Sequence, residues 1–179
     1  MRKSQKVALS GLLTAFAAVM VMISNIMPAG MYTFPAAAGV IVYILSFIVG
    51  RSYGWASFGA VALLSFFLCA DKEAALSFIL FFGYYPMIKQ ALERIPVRFL
   101  AYLPKLAIFN AAAVSVYFLM LWVFALPADT FEFFGINMPL IFLLLLNFIF
   151  LLYDYAITVF MKAYQQKIYN FVTKVKRKF

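Results

Sequence analysis

The chain has 179 residues, 67% of them hydrophobic and only 12% charged, with a formal net charge of +9. Soluble domains are nearer half apolar and a quarter charged, so this excess of apolar surface has to face lipid. A single cysteine, Cys69, and no histidine exclude an intrachain disulfide, the familiar His/Cys zinc sites and histidine acid–base catalysis.

The cations sit at the chain ends and between apolar runs rather than on one basic face, which argues for anionic headgroups and against nucleic acid. No Gly-x-x-x-x-Gly-Lys-Ser/Thr loop occurs, so ATP hydrolysis by the P-loop route is excluded. With no visible nucleophile–base pair or metal cluster, the expectation is a protein that is not an enzyme and uses no cofactor or metal.

Apolar runs fall at 7–27, 35–49, 54–70, 74–88, 102–126 and 138–161. A span needs roughly 20 residues at 1.5 Å each, so the second to fourth must borrow flanking residues. The first follows Arg2, Lys3 and Lys6, but it is too long for a signal core and reads as a retained helix. The expected fold is an all-α integral membrane protein, a compact bundle of six transmembrane helices over 1–162 with a cytoplasmic tail at 163–179. Six spans put both termini on one side. Of the 15 Lys and Arg residues all but Lys72 then lie on that side, while Asp71, Glu73, Asp129 and Glu132 lie opposite. By the positive-inside rule both termini are cytoplasmic.

Along the first run, small residues recur at helical spacing: Ser10, Thr14 and Ala18, then Gly11 and Ala15, with Ala8 and Ala17 nearby. In lipid, close backbone approach over small side chains supplies helix–helix attraction, either within the chain or to another subunit. The loop 28–35 carries Tyr32 and Phe34 as interfacial anchors or as a lid over an outward pocket. A tight turn at 50–54 makes the second and third spans antiparallel neighbours.

The stretch 71–89 opens on Asp71, Lys72 and Glu73. Acids in a first helical turn cap it, while Lys72 either pairs with Glu73 or meets an anionic group on a ligand. Gly83 and Pro86 predict a kink. Tyr84 and Tyr85 read as anchors near the inner headgroups. The connection from Lys89 to Lys105 carries Arg94 and Arg98 against Glu93, with Pro96 and Pro104 bracketing a short helix or turn along the membrane, for headgroup contact or a grip on a partner.

The fifth run holds Asn110, roughly 8 Å in from Lys105 by helical rise, and Trp122 near the outer interface. The loop 127–137, with Asp129, Glu132 and aromatic residues, is a second candidate for a pocket rim. In the sixth run Asn147, Leu151, Asp154 and Thr158 share one face. Asp154 lies near the depth of Asn110. An intramembrane carboxylate turns inward to a partner, here Lys105 or Lys89, or serves coupling or release. The tail reads as an amphipathic helix with Ile168, Phe171, Val172, Val175 and Phe179 on one face and lysines around the other, which suits an anionic inner leaflet.

Six short spans, both ends inside, a small-residue first helix and a lidded outer mouth resemble the substrate-binding S components of energy-coupling-factor (ECF) transporters, bacterial vitamin and micronutrient importers. The opening Lys6-Val-Ala-Leu-Ser-Gly-Leu-Leu-Thr-Ala15 is similar to that family's first helix. The resemblance implies a bacterial cytoplasmic-membrane subunit that captures a small-molecule solute from outside. It would do so through Tyr32, Phe34, Asp71, Lys72, Glu73 and Ser77, with Trp122 and Asn147 on later spans. It also implies docking of the first helix, through Ala8, Gly11, Thr14, Ala15 and Ala18, on a membrane coupling subunit driven by ATPase subunits. The alternative is a structural membrane subunit of the cell-shape machinery, similar to the rod-shape-determining type, which needs no ligand pocket.

Overall fold

The computed structural model describes residues 2–27, 30–94, 98–124, 132–133, 136–137 and 139–178, with side chains over 2–27, 30–94, 100–124 and 142–162. Seven α-helices account for nearly all of it: α1 (Lys3–Ile23), α2 (Thr33–Val49), α3 (Arg51–Leu68), α4 (Lys72–Ser77), α5 (Tyr85–Leu92), α6 (Arg98–Trp122) and α7 (Pro139–Lys178). A two-rung antiparallel hairpin, Glu132–Phe133 against Ile136–Asn137, lies between α6 and α7. The side chains of the predicted rim at 127–137 and of the tail at 163–179, and all of Pro28 and Ala29, lie outside the described residues.

Lys3–Ile23, Leu100–Trp122 and Phe142–Lys162 are long and apolar enough to cross a membrane, and Thr33–Val49 is a shorter apolar helix. Their outward faces carry Leu12, Phe16 and Val19 on α1 and Leu144, Phe148, Leu152 and Tyr155 on α7, all at least half exposed. Apolar area on that scale fits a hydrocarbon solvent. Backbone helix α7 continues without a break past residue 162.

The fourth apolar run is not one helix. Asp71 caps α4 by accepting from the Ala74 N–H at 3.1 Å, and α4 then widens into a π-helical turn at Phe78–Phe82. The Gly83 N–H donates to the Phe78 carbonyl, five residues back, at 2.8 Å. The chain turns at Gly83–Tyr84 before α5 begins, with Pro86 in its first turn, where a missing N–H is harmless. The Tyr84 hydroxyl donates to the Leu80 carbonyl at 2.7 Å, so the phenol supplies a partner that the broken ladder removes. The expected kink is thus a full interruption, with a π turn added.

This discontinuous segment separates two cores. On one side α1, α2 and α3 pack mutually on small and β-branched residues, including Ala17, Ala18, Val21, Ala38, Val42 and Val61. The approach is closest at Gly39 of α2, where an added Cβ would strike the Phe82 carbonyl oxygen. On the other side aromatic rings join the segment to α6 and α7. Phe81 stacks on Tyr85 at 4.5 Å and Phe109 on Phe150 at 4.7 Å, with Phe81 edge-on to both Phe109 and Phe150. Since lipid is as apolar as these side chains, packing and hydrogen bonds, more than hydrophobic burial, hold such helices together.

Between α2 and α3 the chain reverses on Gly50, whose φ of +134° suits a residue without a Cβ. The reversal is tighter than the expected turn at 50–54, since α3 already begins at Arg51, and α2 and α3 pack side by side.

Candidate functional site

Polar side chains gather at three levels. At the end of the bundle holding the α3–α4 junction, Asn25 Oδ1 accepts from the Asp71 N–H at 2.8 Å and from Cys69 Sγ at 3.1 Å. The Tyr32 hydroxyl donates to Glu73, so the chain after α1 is tied to the start of α4. The Lys72 ammonium donates to the Phe66 and Cys69 carbonyls, both at 2.8 Å, and lies 5.9 Å from the Phe66 ring centre. It closes the carboxyl end of α3, where the helix dipole favours a cation, and does not pair with Glu73. Burial, with Asp71 adding to it, raises the Glu73 carboxyl above its usual range despite the hydrogen bond from Tyr32. The Ser77 hydroxyl is buried and donates to the Ala74 carbonyl at 2.8 Å. Phe34 is half-buried with its ring against Gly30.

At mid-depth Asn110 and Asn147 form a reciprocal amide pair at 2.9 and 2.8 Å, and each amide nitrogen also donates to the carbonyl four residues back. Both donors of each side chain are thereby used. This pair joins α6 to α7 and is expected to show a coupling of about 0.6–2 kcal/mol in a double-mutant cycle of Asn110→Ala and Asn147→Ala, read by unfolding in detergent. Additive single effects would refute it. Trp122 is 83% exposed and lines an open cleft of about 610 Å³ with Leu80, Val114, Ser115, Phe118 and Leu119.

At the opposite end from Lys72 lies a buried charge cluster. Lys89, Lys105 and Asp154 are 0%, 2% and 1% exposed. The Lys89 ammonium contacts Asp154 Oδ1, the Asp154 carbonyl at 3.1 Å and Glu93 Oε1 at 2.8 Å. The Lys105 ammonium contacts Asp154 Oδ2 at 3.1 Å and the same Glu93 oxygen at 3.0 Å. The Tyr85 hydroxyl donates to Asp154 Oδ1, and Thr158 donates to the Asp154 carbonyl at 2.9 Å. Two cations meet two carboxylates, so the cluster is formally neutral and fastens α5, α6 and α7 at one point. Burial alone would raise the Glu93 carboxyl, but its hydrogen bonds from Lys89 and Lys105 outweigh that and hold it below the ordinary range.

Asp154 therefore engages both lysines that the helix faces point to. Tyr85 is a partner that the sequence does not single out: it is fully buried against the carboxylate rather than placed among headgroups. The small residues of α1 divide. Ala8, Gly11 and Ala15 are exposed, and a Cβ on Gly11 would meet nothing within 4 Å. Ala18 is buried, and Thr14 bonds the Ser10 carbonyl at 2.6 Å and the Ser57 hydroxyl of α3 at 2.7 Å.

Comparison with protein-family models, with curated proteins and with solved structures finds no match to this chain in any of the three.

Proposed function

We propose that this chain is a six-span bacterial inner-membrane protein with both termini cytoplasmic, acting as the solute-capturing S component of an ECF-type importer. The placement of all cations but Lys72 on the amino-terminal side supports that orientation.

The observation that carries the solute reading is the cleft beside Trp122. It is an open groove of about 610 Å³, room for a small ring laid against α6. Its α6 residues lie roughly 14–26 Å along the helix from Lys105, in the half remote from the basic end. Leu80, Phe118 and Trp122 offer apolar and aromatic surface with one hydroxyl, from Ser115, which suits a flat, weakly polar ring of the vitamin or micronutrient class. Leu80 belongs to the π turn, a departure from regular helix that is frequent at functional sites. The outward Ala8, Gly11 and Ala15 leave a smooth strip on α1 for a coupling subunit that brings ATPases.

A thermal-shift and native mass-spectrometry screen of the detergent-purified protein against vitamins, nucleobases and amino acids tests this reading. A true solute at a hundred times its Kd adds about 2.7 kcal/mol of stability, and Trp122→Ala removes that gain. A panel without a single stabilising compound defeats the capture role. Ala15→Arg is expected to abolish co-purification with coupling and ATPase subunits; unchanged co-purification removes the docking assignment.

The second reading is the cell-shape scaffold. It is favoured by the way Asn25, Tyr32, Asp71, Lys72 and Glu73 engage one another and the backbone at the rim.

A further inference from the structure

In the buried cluster, one member differs from the rest. Lys89, Lys105 and Asp154 are sealed, whereas the Glu93 side chain is 36% exposed. Both ammonium groups converge on a single oxygen of that carboxylate, Oε1, at 2.8 and 3.0 Å. Without Glu93 the cluster holds two buried cations and one carboxylate, an unbalanced charge that hydrocarbon penalises by several kcal/mol. Glu93 sits in the turn that ends α5, outside the packed helices, so its side chain can swing aside while Lys89 and Lys105 stay fixed by Asp154.

We propose that the paired ammonium groups of Lys89 and Lys105 form a seat for a phosphate group, which Glu93 occupies as a displaceable counterion. A phosphodiester carries one negative charge, as a carboxylate does, so exchange leaves the cluster neutral, and its oxygens accept charge-assisted hydrogen bonds from both lysines. The seat opens at the basic end of the bundle, beside the exposed Arg94, where anionic headgroups concentrate on a cytoplasmic leaflet. The chemistry is shared by a lipid headgroup and by free phosphate. This inference stands apart from solute capture, because the cluster and the cleft lie at opposite ends of α6.

The test uses the full chain in a maltoside detergent, which carries no phosphate, alone, with added phosphatidylglycerol, and with added inorganic phosphate. Melting temperature and lipid retained in native mass spectrometry are the readouts. Glu93→Gln empties the seat of its tethered anion. It is expected to melt lower than the unaltered chain in the detergent alone, to recover with phosphatidylglycerol, and to retain that lipid at least about tenfold more strongly, since one charged hydrogen bond is worth about 1.5–3 kcal/mol. Recovery with inorganic phosphate alone assigns the seat to free phosphate; recovery only with the anionic lipid assigns it to the headgroup.

Two further variants separate the seat from general surface charge. Glu93→Gln with Arg94→Gln restores the original net charge and keeps the seat, so it retains the gain. Glu93→Gln with Lys105→Gln also restores the charge and leaves the Lys89–Asp154 pair, but dismantles the seat and loses the gain. Equal lipid retention in these two double variants overturns the proposal. So does a Glu93→Gln protein that melts like the unaltered chain in the detergent alone, or one that no anionic lipid or phosphate can restore.

Discussion

Asp154→Leu is expected to give the largest loss of stability of any single substitution in this chain. It leaves Lys89 and Lys105, both sealed from solvent, with Glu93 as their one carboxylate, and it strips the Tyr85 hydroxyl of its acceptor. Removing one partner of a buried ion pair costs about 3–5 kcal/mol, chiefly because the other charge stays buried. Unfolding in detergent followed by circular dichroism, with size-exclusion profiles, measures it. The decisive comparison is the double variant Asp154→Leu with Lys89→Met, which leaves Lys105 and Glu93 as a balanced pair and is expected to recover most of the loss. A single variant as stable as the parent, or a double variant as poor as the single, would show that charge balance is not what holds these helices.

The second large effect is at Gly39. The contact there is between backbones, so a side chain cannot be relieved by a rotamer change, and the Phe82 carbonyl it would strike belongs to the π turn. Gly39→Ala is expected to cost about 1–3 kcal/mol, the usual range for overpacking, and Gly39→Val more. Gly11→Ala, where a Cβ meets open space, is the matched control and is expected to be near neutral or slightly stabilising through helix propensity. Equal melting temperatures for the Gly39 and Gly11 variants would remove the close approach of α2 from the account of the fold.

What could be read from residues alone follows from how harshly lipid treats polar groups. Asp154 has to find a cation, and the face it shares with Asn147 and Thr158, together with its depth, points to Lys89 and Lys105. Gly83 and Pro86 announce a break because backbone chemistry is local. Tyr85 stayed hidden, since a tyrosine at a membrane boundary satisfies its hydroxyl equally well in water or on a buried carboxylate. The π turn was also illegible: Phe78-Ile-Leu-Phe-Phe82 is apolar at every position, so no periodicity marks the register slip. The inward and outward faces of α1 could not be told apart when small residues line both. Lys72 looked available for a ligand because the carbonyls it closes lie in the preceding helix and acquire that need only when α3 ends. The π turn and Lys72 both depend on tertiary geometry, which a one-dimensional pattern does not carry.

α7 is a single helix of 40 residues, about 60 Å long against a hydrocarbon thickness of about 30 Å. Its anchor at Asp154 leaves 24 residues, or about 36 Å, running on to Lys178. Met161 still packs against both cores, and from there the backbone helix continues for 17 residues, about 26 Å, so the tilt set where Asp154 is held also sets where the basic end of the helix points.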